Sequence, residues 1–313
     1  MALRERERMT IPTFLIAGGA RCGTTGVVEG LRAHPRVFVT TPKEPHYFAY
    51  HHTGAHFTGP ADAQTINRVA VTDTDAYLAL YPAEHDYLAL GEASVSTMYR
   101  AADAMPELLA INPAIKLVVL LREPVARAYS AHQYMVGRGL EPVVDFLDAV
   151  SREDQRREGG WHHIWHYTAM SRYAASLRTM MQAVPSDQLG VWFHDDLDAD
   201  FRGTVEEILT FIGVSPDPDA AEVSRVNVSG RPRYPVAHRA VAWATAHEQL
   251  RSTLKRVIPF RLREQVRGRL LTTDPLAAEV RTQLEPLFTD DLREVRAMLP
   301  GPFPPWLPEA RVS

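Results

Sequence analysis

The chain has 313 residues, 45% of them hydrophobic and 23% charged, an ordinary globular composition with enough apolar side chains for a sizeable core. Its net charge of −4, from 34 basic and 38 acidic side chains, offers no global field for nucleic acid or an anionic membrane, so any bound anion must be held by a local cluster. The single cysteine, Cys22, excludes an internal disulfide framework and fits a reducing compartment.

Residues 1–10 read as a flexible polar leader, charged rather than built like the apolar core of an export signal. No apolar run approaches the roughly 20 residues of a membrane span, so the expected location is cytoplasmic. Thr13 to Ala17 is a short apolar run stopped by Gly18 and Gly19, the pattern of a buried strand entering a loop. Thr25 to Ala33 reads as a helix, ended at His34-Pro35 because the residue before proline avoids helical geometry. Arg36 to Val39 follows as a second strand. Residues 49–76, rich in His, Gly, Thr and Asp with weak periodicity, read as a long loop or lid. Tyr87–Leu90 and Lys116–Leu121 are further strands, the second apolar enough for a central parallel strand. Pro124 opens a helix running to about Val136. Residues 143–184 are mostly helical, interrupted at Gly159-Gly160, and Leu189–Phe193 is another strand. A helix over Phe201–Ile212 stops at Gly213. Residues 222–235 form a loop, and helical stretches over 236–256 and 275–298 precede a proline-rich tail, 301–313.

Strands alternating with helices predict an α/β fold: three layers, with a central parallel sheet flanked by helices and a P-loop-like strand–loop–helix at its start. One domain over 11–300 is expected, with a core at 11–235 and C-terminal helices at 236–298. Ligands of such folds sit at the carboxyl ends of strands, which directs attention to Ala17 and Leu121.

The loop Gly18-Gly-Ala-Arg-Cys-Gly-Thr-Thr25 lets backbone N–H groups and a helix N-terminus approach an anion. A nucleotide-hydrolysing P-loop requires Lys after its second glycine. Here Thr24 stands there, and the only loop cation is Arg21. The central strand runs into Arg122 instead of the aspartate that organises Mg²⁺ in those enzymes. An arginine grips phosphate directly, so the pattern predicts anion binding without a metal cofactor.

These segments resemble those of the sulfotransferases that use 3′-phosphoadenosine-5′-phosphosulfate (PAPS), in particular bacterial relatives of the heparan-sulfate branch. Arg21-Cys-Gly-Thr-Thr25 is similar to their 5′-phosphosulfate loop, usually Lys-x-Gly-Thr-Thr. Leu121-Arg-Glu-Pro-Val-Ala-Arg-Ala-Tyr-Ser130 resembles their 3′-phosphate motif, with the arginine and serine at Arg122 and Ser130. Thr41-Pro-Lys-Glu-Pro-His-Tyr-Phe48 resembles the catalytic acidic segment of the heparan branch, and Gly91-Glu-Ala-Ser-Val-Ser96 the segment after it. Val226-Asn-Val-Ser-Gly-Arg-Pro-Arg233 resembles the late loop that closes over the 3′-phosphate. The order and spacing match over about residues 11–235. Two positions depart: Arg21 replaces the usual lysine, keeping its charge but with a planar fork. Ala93 stands where some heparan-branch members carry lysine.

The resemblance implies sulfuryl transfer from PAPS to a hydroxyl, less readily an amine, of a small-molecule or carbohydrate acceptor, leaving PAP. It implies Glu44 as the general base and Arg21 as the group stabilising the leaving 5′-phosphate; Lys43, immediately beside Glu44, either contacts the transferring sulfuryl or is a surface lysine paired with an acid. His46, two residues from Glu44 and on the same side of an extended segment, is an alternative base, an acceptor-site donor or a plain hydrogen-bonded histidine. Cofactor contacts are expected from Arg21, Cys22, Gly23, Thr24 and Thr25, from Arg122 and Ser130, and from Gly230 with Arg231 or Arg233. Arg127 is expected to face solvent or pair with Glu123. His51, His52 and His56 sit in a loop without a cysteine, so no metal is expected there. Trp161, Trp165 and Tyr167, interleaved with His162, His163 and His166, either pack a helix start or line an aromatic acceptor pocket. Two other functions compete: a small-molecule kinase with an aberrant P-loop, and a non-catalytic nucleotide-binding module that needs Arg122 and Ser130 but not Glu44. Neither the acceptor nor the oligomeric state is readable.

Overall fold

Short apolar runs build the centre of the computed structural model, which describes residues 11–83, 86–217, 231–232, 271–272 and 275–309. Strands β1 (Phe14–Ile16), β2 (Val37–Val39), β3 (Ala89–Ala93), β4 (Lys116–Leu121) and β5 (Leu189–Phe193) pair all-parallel in the order β2-β3-β1-β4-β5. Strand alternation divides the core into two layers. Leu15, Leu117, Val119 and Leu121 face one side, packing with Val125, Ala128 and Leu177. Phe14, Ile16, Val118 and Leu120 face the other, against Val27, Val28, Leu31, Val205 and Ile208. Helices α1 (Thr24–Arg32), α2 (Tyr47–Tyr50), α3 (Ala101–Ile111), α4 (Pro124–Gly137) and α5 (Phe201–Phe211) are among those covering these faces. The three-layer parallel architecture is as expected.

Most boundaries fall within a residue or two of expectation, and two regions differ. The third strand is Ala89–Ala93, not Tyr87–Leu90. Its polar-looking end, Gly91 and Glu92, is fully inside the sheet because Gly91 leaves room for the Phe14 ring, which a Cβ would meet at 2.4 Å. The expected loop 49–76 instead carries short helices at its margins and centre, with Tyr47–Tyr50, Ile66–Val69 and Thr74–Leu78 helical. Helices of one turn leave no periodic signature.

At the carboxyl end of the sheet, β1 feeds α1 toward β2, while its neighbour β4 feeds α4 toward β5 on the other side. Adjacent strands with diverging connections open a crevice between their ends, where ligands of open parallel sheets bind. The C-terminal helices Ala278–Leu284 and Thr289–Met298 pack Leu284, Leu292 and Val295 into the first core layer. The expected helix at 236–256 and most of the loop 222–235 lie outside the described residues. Arg231–Pro232 pairs antiparallel with Leu271–Thr272.

Candidate active site

The crevice is built from the β1 loop upward. Gly18 passes so close to β4 that a Cβ would lie 2.8 Å from the Leu120 carbonyl oxygen, and Gly23 takes φ 98° to start α1. No side chain caps that helix, so its first amides, which lack intrahelical acceptors, and the positive end of its dipole face the crevice. Arg21 adopts φ 72°, a left-handed conformation that costs a non-glycine residue about 1 kcal/mol or more and concentrates at functional sites.

The structure brings both expected phosphate motifs together. The Arg21 Nε donates to Ser130 Oγ at 3.3 Å, and its guanidinium lies 4.8 Å from the Tyr134 ring centre. Arg122 Nη1 donates to the Arg21 carbonyl at 3.0 Å. Thr24 is buried and Thr25 exposed. Cys22 enters only as loop backbone: its side chain is fully buried, its amide donates to Gly19, and burial pushes the thiol up to about 11. Gly230 and Arg233 lie outside the described residues, and of Arg231 only the backbone is described.

The acidic segment meets the same loop. Lys43 Nζ donates to Thr24 Oγ1 at 3.3 Å and to Glu44 Oε1 at 2.6 Å. Glu44 Oε2 accepts the Val95 amide at 3.0 Å. Burial raises the Glu44 carboxyl, but Lys43, His46 and these hydrogen bonds outweigh it and hold it below the ordinary glutamate value. His46, buried at φ 59°, contacts Ser96 Oγ through Nδ1 at 2.9 Å. Burial lowers its pKa against the pull of Glu44. Beneath them the His46 amide donates to Ser94 Oγ, which donates to Glu92 Oε2 at 2.9 Å.

A cavity of about 410 Å³ opens over this constellation, lined by Arg21, Thr24, Lys43, Glu44 and His46 on one side. Ile66, Val69, Ile164, Met170 and Tyr134 add apolar wall, and His162 and His163 line it too. Segment 49–76 and the stretch 159–167 therefore both contribute to one pocket. The aromatic residues of that stretch do not. Trp165 and Tyr167 are fully buried in the core, and with Trp161 they surround the Arg156 guanidinium. The histidines between them do the lining, with proton positions set by a chain of hydrogen bonds. His162 Nδ1 accepts the Ile164 amide, so Nε2 carries the proton and meets the Tyr50 hydroxyl at 2.9 Å. Tyr50 in turn donates to His163 Nδ1 at 2.8 Å, which leaves His163 an Nε2–H without a partner among the described residues. Burial holds both rings well below the ordinary histidine value, hence neutral.

Arg127 corrects an expectation. It neither faces solvent nor pairs with Glu123: it is fully buried under the loop, donating to the Ala20 and Tyr167 carbonyls and to Ser171 Oγ. On α4 it shares a face with Ser130, three residues on, which was the signal available for it. It holds the loop from below.

Comparison with known proteins points to one family. The family described as sulfotransferase domain matches residues 12–229. Carbohydrate sulfotransferase 15 of Mus musculus is 31% identical over 175 residues, 45% of this chain and 30% of its own length. Bifunctional heparan sulfate N-deacetylase/N-sulfotransferase 2 of Bos taurus is 24% identical over 221 residues, 68% of this chain and 23% of its own length. The chain thus spans less than a third of these curated relatives. The crystal structure of a sulfotransferase from Alicyclobacillus acidocaldarius superposes with a TM-score of 0.72 at 23% identity, covering 94% of this chain and 98% of that one, a likeness of fold.

Proposed function

From the premise that this chain belongs to the sulfotransferase domain family, we propose that it transfers a sulfuryl group from PAPS to a hydroxyl of a small-molecule or carbohydrate acceptor. The observation that carries the reading is the junction at the crevice. A loop cation, Arg21, touches the serine of the second phosphate motif, and the same loop's Thr24 is tied through Lys43 to a carboxylate. The donor set suits a doubly anionic ligand: arginine forks, hydroxyls and uncapped helix amides.

PAPS, when bound, supplies the sulfuryl group and departs as PAP. Arg21 and the α1 amides are placed to take up charge on the leaving 5′-phosphate, where preorganised donors contribute most. Arg122 and Ser130 are assigned to the 3′-phosphate, as are Gly230 with Arg231 or Arg233. Lys43, between Thr24 and Glu44, is assigned to the equatorial charge of the transferring group. Glu44 is ionised at neutral pH and lines the cavity, so it serves as the base that takes the acceptor's proton late in the transfer. His46 serves as a positioning donor beside it. The acceptor occupies the cavity bounded by Ile66, Val69, His162 and His163. The carbohydrate acceptor class is supported by the names of the relatives, the small-molecule class by the apolar share of the wall. No described helix is long and apolar enough to cross a membrane, and a cytoplasmic location is kept as part of the proposal.

Titration calorimetry with PAP and with ATP in the presence of a chelator, and with Mg-ATP in a separate titration without it, tests this reading. The expected result is saturable PAP binding without divalent metal, with ATP at least about 10-fold weaker, since one charge-assisted contact contributes about 1.5–3 kcal/mol. Tighter binding of Mg-ATP than of PAP would favour the kinase instead.

A further inference from the structure

Directly after the acidic segment, α2 ends in two adjacent histidines whose rings turn to the same carboxylate on α3. His51 Nε2 lies 3.8 Å from Glu107 Oε1, and His52 Nε2 lies 3.4 Å from Glu107 Oε2. One ligand atom from each of the three residues falls within 4.8 Å of the other two. We propose that His51, His52 and Glu107 form a zinc site that joins the end of α2 to α3, separate from the sulfuryl-transfer cleft.

The donor set and its spacing carry the proposal. Two imidazole nitrogens and a carboxylate are a zinc set, with bonds of about 2.0–2.2 Å, which in a tetrahedron puts ligand atoms about 3.3–3.5 Å apart. The nitrogen–oxygen separations already approach that edge, and the remaining closure is on the order of 1 Å. His52 has a side chain that is 69% exposed and can supply that movement. The outer shell is present as well. The carbonyl of Thr72 can only accept, so the 2.8 Å contact places a proton on His51 Nδ1 and turns the Nε2 lone pair toward Glu107. The buried Tyr47 hydroxyl donates to Glu107 Oε1 at 2.9 Å and fixes the carboxylate. Outer partners of this kind, a carbonyl behind a histidine and a donor behind a carboxylate, orient ligands in zinc sites. None of the three residues lines the cavity over Glu44. The sequence reading expected no metal at His51, His52 and His56, which sit in a loop without a cysteine; Glu107 is more than fifty residues away and reached only through the fold.

The test uses the untagged full chain, stripped with a chelator and titrated with Zn²⁺ in competition with a chromophoric chelator. One equivalent should bind with micromolar or tighter affinity, unaffected by millimolar Mg²⁺. Glu107→Gln and His52→Ala should each weaken it by at least about 10- to 100-fold, the range seen even for outer-shell losses. Zinc should raise the melting temperature of the unsubstituted chain and not of Glu107→Gln. His52 is exposed, so the metal-free melting temperature of His52→Ala should match the parent, which separates lost binding from lost folding. PAP affinity should stay the same in both variants. Absence of stoichiometric binding, or zinc affinity unchanged in either variant, overturns the site.

Discussion

Glu44 is the residue on which the proposed chemistry turns. Both its oxygens are engaged, one by Lys43 and one by the Val95 amide, which fixes the carboxylate at the cavity wall. General-base catalysis contributes about 10²–10⁴-fold, so Glu44→Gln should lower kcat by that order while PAP affinity stays within about twofold. Because its pKa is held below the ordinary 4.5, the base is ionised throughout the neutral range, and kcat should decline only on the acid side of that value. Steady-state turnover and PAP titration of the variant check both parts; turnover near that of the parent would move the base to His46. The residues of this site divide by how they announced themselves. Arg21, Lys43, Glu44, Arg122 and Ser130 lie in contiguous motifs and were readable. Arg127 was not, because its role comes from what lies across the fold, two carbonyls and a serine; His162 and His163 stood in a stretch that read either as packing or as pocket lining, and the tyrosine that bridges them is reached only through the fold.

Strand β3 illustrates how an element hides its polar content. Long apolar runs such as Lys116–Leu121 and Leu189–Phe193 were placed to the residue, and α4 to within one, because burial on both faces and the N-terminal proline leave unambiguous patterns. In β3 the strand runs on through Gly91 and Glu92, and that carboxylic acid ends fully buried in the sheet. Ser94 donates to one oxygen, and Oε1 has no hydrogen-bond partner among the described residues. Burial, reinforced by the Glu44 charge, pushes its pKa up to about 8. The folded strand therefore keeps a proton that the unfolded chain releases near 4.5, so Glu92 lowers stability as pH rises from about 4.5 to 8. At about 1.4 kcal/mol per pH unit the full effect has an upper bound of about 5 kcal/mol. Glu92→Gln copies the protonated shape and removes the titration. In urea unfolding at pH 5 and pH 8.5, the variant should gain a few kcal/mol on the parent at the higher pH only. Parallel behaviour at both values would mean that β3 accommodates the ionised carboxylate.

At the scale of the whole molecule, the question is whether the C-terminal helices belong to the same folding unit as the cleft. Their contacts argue that they do. Asp291 on the last helix accepts the Tyr173 and Ala174 amides at 2.8 and 3.1 Å, capping helix Ala174–Ala183. The Tyr173 hydroxyl then donates to the Arg122 carbonyl at 2.8 Å. In parallel, Arg281 bonds Glu123 at 2.9 Å, the residue whose carboxylate caps α4 through the Val125 and Ala126 amides. Both links end on the strand-end motif proposed to hold the 3′-phosphate. The expected single domain over 11–300 thus acquires a physical test. Asp291→Ala leaves two amides without their acceptor, a loss of about 1–3 kcal/mol. If the chain unfolds as one unit, far-ultraviolet circular dichroism and tryptophan fluorescence should trace coincident transitions, both displaced by that amount in the variant. Saturating PAP should then raise both together, by roughly 2.7 kcal/mol at one hundred times its dissociation constant. Transitions that separate, or a variant that shifts one probe and not the other, would make the C-terminal helices a unit of their own, docked on the cleft instead of built into it.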